Sequence, residues 1–155
     1  MDALTMAGLG KADAAAAISL AAVGSAIGTG TAGMAAIGSW KKCYAQGKAA
    51  PFLLLIFVGA PLTQTIYGLI LMKAMIKLLA LGGAQFVAQW PAYLTAGVLG
   101  GVAMGMSAWW QGRAGAAGAD ALGETGQGFA NYLLTIGVVE TVALFVMVFI
   151  QAALK

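Results

Sequence analysis

The sequence predicts an all-α membrane protein: four transmembrane helices, arranged as two duplicated parallel hairpins. Three observations carry this. Of 155 residues, 61% are hydrophobic and only 8% charged, where a soluble domain carries about 25% charged. Four apolar stretches, at about 13–38, 51–80, 91–119 and 129–154, meet the roughly 20 residues that a transmembrane helix needs. Finally, the two halves resemble each other. With short connections, four such helices leave no room for a soluble domain, so residues 1–80 read as one hairpin and 81–155 as a second.

The first helix contains GSAIGTGTAGMAAIG from Gly24 to Gly38. The residues before it lack a basic head ahead of an apolar core, so a cleavable signal peptide is not expected. The third helix carries MSAWWQGRAGAAGADALG from Met106 to Gly123. Superposing Ser25 on Ser107 brings Gly30 onto Gly112 and Gly33 onto Gly115, with Thr29 facing Gln111, as expected of a duplicated hairpin. Two passes separate the copies, so they are parallel repeats rather than inverted ones. Both helices have small-xxx-small spacings (Gly24/Gly28, Gly97/Gly101, Gly101/Gly105), which let backbones approach closely. The second and fourth helices carry the bulk, FLLLIF from Phe52 to Phe57 and ALFVMVFI from Ala143 to Ile150. One four-helix bundle has too little interior for two wholly small-faced helices. A homo-oligomeric ring, with helices one and three inside and two and four facing lipid, accommodates them.

The net charge of +3 comes from basic residues at helix ends, so the chain gives no sign of binding nucleic acid. Lys41, Lys42 and Lys48 form the densest cluster, in the first hairpin's connection, and the positive-inside tendency places that connection in the cytoplasm. Lys11, Lys73, Lys77 and Lys155 fall at the opposite ends. Cys43, the single cysteine, lies in the same connection and excludes an intrachain disulfide. With no histidine, a His-based metal site or proton relay is excluded.

Glu140 stands alone as an acid near the middle of the run from Phe129 to Leu154. A charge at the bilayer centre costs roughly 3 kcal/mol on insertion scales and marks ion or proton pathways. In the second helix, Pro61 lacks an N–H and kinks the backbone, freeing carbonyl oxygens. Thr63, Gln64 and Tyr67 follow on one side of that helix. Gln64 and Glu140 each lie roughly 17 Å into helices of the same direction, and Gln111 roughly 12 Å from its helix end, within side-chain reach of that level. One carboxylate, two amides, a hydroxyl and a carbonyl make an all-oxygen set that suits a hard cation. A single negative charge favours a monovalent ion over Ca²⁺, whose sites hold several carboxylates. A carboxyl that carries only a proton needs fewer partners.

The Gly-rich first helix, PLTQTIYG, SAWWQGRAGAAG and VVETVAL together resemble the rotor-ring (proteolipid, K or c) subunit of V-type and A-type ATPases. The likeness spans essentially the whole chain, and its motifs are most similar to those of the bacterial sodium-translocating branch. This resemblance implies Na⁺ as the ion, with no organic cofactor. Its ligands would be Thr63, Gln64, Gln111, Glu140 and the backbone carbonyl of Ala60, with Tyr67 locking the site through the Glu140 carboxylate. The sequence departs from the family pattern at Ala60, where a larger apolar residue is common, and at Leu62, where glycine is common. The resemblance further implies a non-catalytic subunit of a rotary ATPase in a bacterial or archaeal cell membrane. Its hairpin connections, about 39–50 and 119–128, face the cytoplasm and the termini lie outside. The expected partners are other copies in the ring, a stator subunit with an arginine, and a central-stalk subunit facing Gly118 to Gly128 with Asp120 and Glu124. One carboxylate per two hairpins raises the ATP used per ion moved, which favours pumping over synthesis. Two other readings stay open: the same rotor carrying H⁺, and a self-contained four-helix channel or small transporter.

Overall fold

A computed structural model describes residues 2–81 and 83–154. Helix α1 runs Ala3–Ala45, α2 Leu54–Gly59, α3 Thr63–Leu81, α4 Gly83–Thr125 and α5 Phe129–Ala153, with a 3₁₀ turn at Ala60–Leu62 joining α2 to α3. The segment Leu54–Leu81 is thus one continuous span, and the described residues form four helices long and apolar enough to cross a membrane. No strand occurs among them.

The helices extend beyond the apolar windows that mark them. Helix α1 begins at Ala3, where the Asp2 carboxylate caps it by accepting the Thr5 N–H at 2.7 Å. It continues to Ala45 rather than stopping near 38, so Lys41, Lys42 and Cys43 lie on the helix and not in a connection. Hydropathy measures the lipid-matched length, while the backbone stays helical until a residue stops it. Here Gly47, at a φ of +66°, provides the stop, since a left-handed φ is accessible to glycine at little cost. The Lys48 N–H then closes back on the Cys43 carbonyl at 2.9 Å. Helix α4 likewise begins at Gly83 and passes through Pro91, instead of starting near it. At its other end it holds Asp120 and Glu124, which therefore do not belong to a loop. Both reach across to Lys42 at 2.8 and 2.9 Å. Cys43 is buried, its Sγ 3.6 Å from the Gly123 carbonyl.

The parallel pair α1 and α4 makes the most extensive contact in the fold, and its glycines make that contact possible. A Cβ at Gly24 would collide with the Gly105 backbone, and one at Gly112 with the Gly28 backbone. Helix α3 lies against α1, with Gly68 over Ala17 and Ile18, and α5 lies against α4, with Gly118 under Tyr132. Two apolar clusters result. One joins Ala14, Ala17 and Ala21 to Leu71, Met75 and Met147. The other joins Leu54 and Phe57 to Ala119, Leu122 and Ile136, and there Phe57 stacks on Phe129 with ring centroids 5.5 Å apart. Large side chains such as Leu134, Val138, Phe145 and Phe149 project outward from α5, where only lipid or protein can cover them favourably.

Gly112→Val sets a side chain against backbone that cannot swing aside. It is expected to destabilise the protein by about 3 kcal/mol or more. Gly38→Ala, where an added Cβ meets nothing within 4 Å, should stay within about 0.5 kcal/mol. Thermal unfolding in detergent measures both; equal tolerance of the two changes would contradict this packing.

Candidate ion-binding site

The interruption in the second span determines which way its polar residues face. Pro61 cannot donate to the carbonyl of Phe57, four residues back, and the chain tightens into the 3₁₀ turn at Ala60–Leu62. Pro61 packs close to Gly28 of α1. The next turn buries Gln64 fully, aimed at α4. The Ala60 carbonyl, expected to be left free, instead accepts both the Thr63 N–H and, at 3.0 Å, the Thr63 hydroxyl. The carbonyl that loses its N–H partner to the proline is that of Phe57.

From Gln64 a chain of hydrogen bonds crosses three helices. Gln64 Nε2 donates to Gln111 Oε1 at 2.8 Å, and Gln111 Nε2 donates to Glu140 Oε2 at 3.2 Å. Tyr67 Oη donates to Glu140 Oε1 at 2.7 Å. At the other end, Thr63 Oγ1 lies 3.2 Å from Gln64 Oε1. The side chains of Thr63, Gln64, Tyr67, Gln111 and Glu140 thus belong to one network, with the Ala60 carbonyl beside it. Gln64 and Gln111 are completely buried. Glu140 is partly exposed on the flank of α5. Buried amides hold their positions only while bonded, because each unpaired polar group costs about 1–3 kcal/mol.

Sequence reasoning missed one member. Ser107 Oγ sits 3.5 Å from Gln64 Nε2 and donates to the Val139 carbonyl at 2.9 Å, tying α4 to α5 at the residue before Glu140. Gln111 Nε2 adds a contact to the Ile136 carbonyl at 3.3 Å. The signal was available: Ser107 precedes Gln111 by four residues and so shares its helix face. On α1 the repeat counterparts, Ser25 and Thr29, have buried hydroxyls with no hydrogen-bond partner among the described residues. Asp13 is also buried, with one oxygen unpartnered. It lies 12 residues before Ser25, roughly 18 Å along the helix, and does not join the network.

Two donors meet Glu140, one on each carboxylate oxygen. Each amide can turn its oxygen where its nitrogen now lies, since Asn and Gln side chains are both donor and acceptor. A turned Gln111 amide would bring its oxygen, in place of its nitrogen, beside the Glu140 carboxylate. Among the described residues no three His, Cys, Asp or Glu side chains cluster as a metal site, so the set carries a single acidic charge.

Fold and site together define a multi-pass membrane protein whose described residues include a carboxylate–amide network with buried amides. Residues 94–150, the greater part of the second hairpin with Ser107, Gln111 and Glu140, match the model of the ATP synthase C-subunit family. That family is the non-catalytic membrane rotor subunit of ATP synthases and ATPases, and it assembles into rings that work against the a subunit. No curated protein sequence matches the chain.

The Tyr67 bond should be worth most when Glu140 is charged, because hydrogen bonds to ionised groups contribute about 1.5–3 kcal/mol. Tyr67→Phe is therefore expected to cost about 2 kcal/mol in the parent and under 1 kcal/mol in a Glu140→Gln background. Equal costs in a double-mutant cycle of thermal stabilities would mean that the two groups do not interact.

Proposed function

We propose that the chain is the rotor-ring subunit of a V-type rotary ATPase, and that it carries one Na⁺ per chain on Glu140. The observation that carries this reading is the hydrogen-bonded run from Thr63 through Gln64 and Gln111 to Glu140. It supplies oxygen ligands and one negative charge at a single level of the bundle. The match of the second hairpin to the ATP synthase C-subunit family supports the rotor part of the reading. Gln64, Gln111 and the Thr63 hydroxyl offer more oxygen-bearing neighbours than a carboxyl that holds only a proton needs, which supports a metal cation.

In this reading a ring of copies turns against a stator. Glu140 takes up Na⁺ through one half-channel and crosses the lipid as a neutral complex, with Tyr67 and Gln111 holding the carboxylate in place. At the stator an arginine competes for the carboxylate and the ion leaves. Pairing removes most of the several-kcal/mol cost of moving a bare charge through lipid. The connections at 46–53 and 126–128 face the cytoplasm and the central stalk, beside the cluster of Lys42, Asp120 and Glu124. The chain itself does no ATP chemistry. The membrane is that of a bacterial or archaeal cell.

Carbodiimide labelling tests the reading, because the reagent attacks a protonated carboxyl. Millimolar Na⁺ at neutral pH is expected to protect Glu140 in the purified protein, and Gln64→Ala and Gln111→Ala should each lose that protection. Labelling that ignores Na⁺ but falls with rising pH would assign the rotor to protons. Ion conduction by the chain reconstituted alone would instead make it a channel.

A further inference from the structure

We infer that Lys73 and Lys77 of α3, with Gln151 of α5, hold the phosphate of an anionic phospholipid in the groove between these two helices, at the end of the bundle opposite Lys42. Such a site requires only that the helices span a membrane, whichever ion Glu140 carries. Charge is balanced at one end of the bundle and not at the other. Lys42 is shared between Asp120 and Glu124 at 2.8 and 2.9 Å, and both salt bridges among the described residues use it. Lys73 and Lys77 are exposed, and neither bonds to a carboxylate of the described residues. Asp13, an acid nearer their end, is buried with its backbone against Gly97 of α4 and one carboxylate oxygen unpartnered. Four residues apart on a helix, the two lysines are neighbours on one face and repel each other. The helix dipole does not account for them, since the last turns of α3 and α5 contain no basic residue.

Their depth matches a lipid phosphate. With Gln64 near the middle of its span, the rise along α3 puts Lys73 roughly 14 Å and Lys77 roughly 20 Å beyond it. The hydrocarbon core of a bilayer extends about 15 Å from its centre. Lys73 thus stands at the hydrocarbon edge, where its stem lies along apolar surface and its ammonium extends toward the headgroups, on the face that Lys77 occupies. A phosphodiester at that level brings one negative charge and a free oxygen for each lysine.

The surface beside the lysines has the rest of the chemistry. A groove of about 380 Å³ opens between α3 and α5, lined by Ala74, Lys77, Leu78, Leu81 and Gln151. Its volume falls within the roughly 300–1,000 Å³ of small-ligand sites. Lysine supplies three donors, and the Gln151 amide is both donor and acceptor, suited to an ester or a headgroup hydroxyl. Ala74, Leu78 and Leu81 offer apolar cover to the first part of an acyl chain. Basic pockets between membrane helices select anionic lipid headgroups through this combination. Free inorganic phosphate would leave the leucines without a partner, so a phospholipid is the occupant that the groove fits.

A phosphatidylglycerol that carries a diazirine next to its glycerol backbone tests the site. The purified oligomer, in nanodiscs of phosphatidylcholine with a minor fraction of the probe, is irradiated, digested and mapped by mass spectrometry. Label is expected on the segment 74–81 and around Gln151, with the matching phosphatidylcholine probe labelling both far more weakly. A lysine near the membrane surface strengthens anionic-lipid binding about fivefold. Lys73→Gln and Lys77→Gln should therefore each lower the labelling about fivefold, and the double variant by more than about tenfold. Lys73→Arg with Lys77→Arg should retain it, and Lys11→Gln, which does not line the groove, should leave it unchanged. Gel filtration shows that each variant forms the parent oligomer. Equal labelling by the two probes would mean bulk lipid only, displacement by excess inorganic phosphate a free-anion site, and no label on either segment a face covered by protein. Each of these results overturns the lipid site and leaves the rotor reading, which rests on Glu140, untouched.

Discussion

Glu140 sets a carboxylate on the partly exposed flank of an apolar helix, where the chain's own donors must stand in for water. Three helices answer to that demand. Helix α3 supplies the Tyr67 phenol, α4 supplies the Gln111 amide, and α5 carries the acid. The glycines between α1 and α4 set α4 close against α1 and so fix where Gln111 stands. The 3₁₀ turn at Pro61 then rotates Gln64 toward α4. Packing and chemistry are thus coupled: a larger residue at Gly112 would displace the helix that carries Gln111.

The two hairpins differ in sequence where the network lies, and among the described residues there is one such network. The first hairpin retains Ser25 and Thr29 where the second has Ser107 and Gln111, and Gln64 occupies the part of the second span that corresponds to the Glu140 region. The contrast among hydroxyls is informative. Ser19, Thr31, Thr95 and Thr135 bond the carbonyl four residues back, the usual arrangement for a hydroxyl in a helix. Ser25 and Thr29 do not, and their buried hydroxyls have no partner among the described residues.

The architecture was largely legible because its signals are long-range averages: apolar length, the spacing of small residues and the repeat. The convergence of Gln64, Gln111 and Glu140 was legible as well, since helical rise converts residue number into depth. Helix ends were not, because Lys41, Lys42 and Asp120 are polar enough to look like a connection while remaining helical. Nor was the state of the Ala60 carbonyl, which depends on how the turn after Pro61 closes on Thr63. Ser107 escaped notice for a different reason: a lone serine in a small-residue helix differs little from its alanine neighbours until α5 is placed beside it.

The central claim, that Glu140 anchors a single monovalent cation site in each chain, is tested most directly by equilibrium binding of radioactive ²²Na⁺ to the purified oligomer. The account predicts saturation at one ion per chain in the parent and none for Glu140→Gln with the oligomer intact. Sodium binding that survives Glu140→Gln, or a parent protein that binds none, would contradict it.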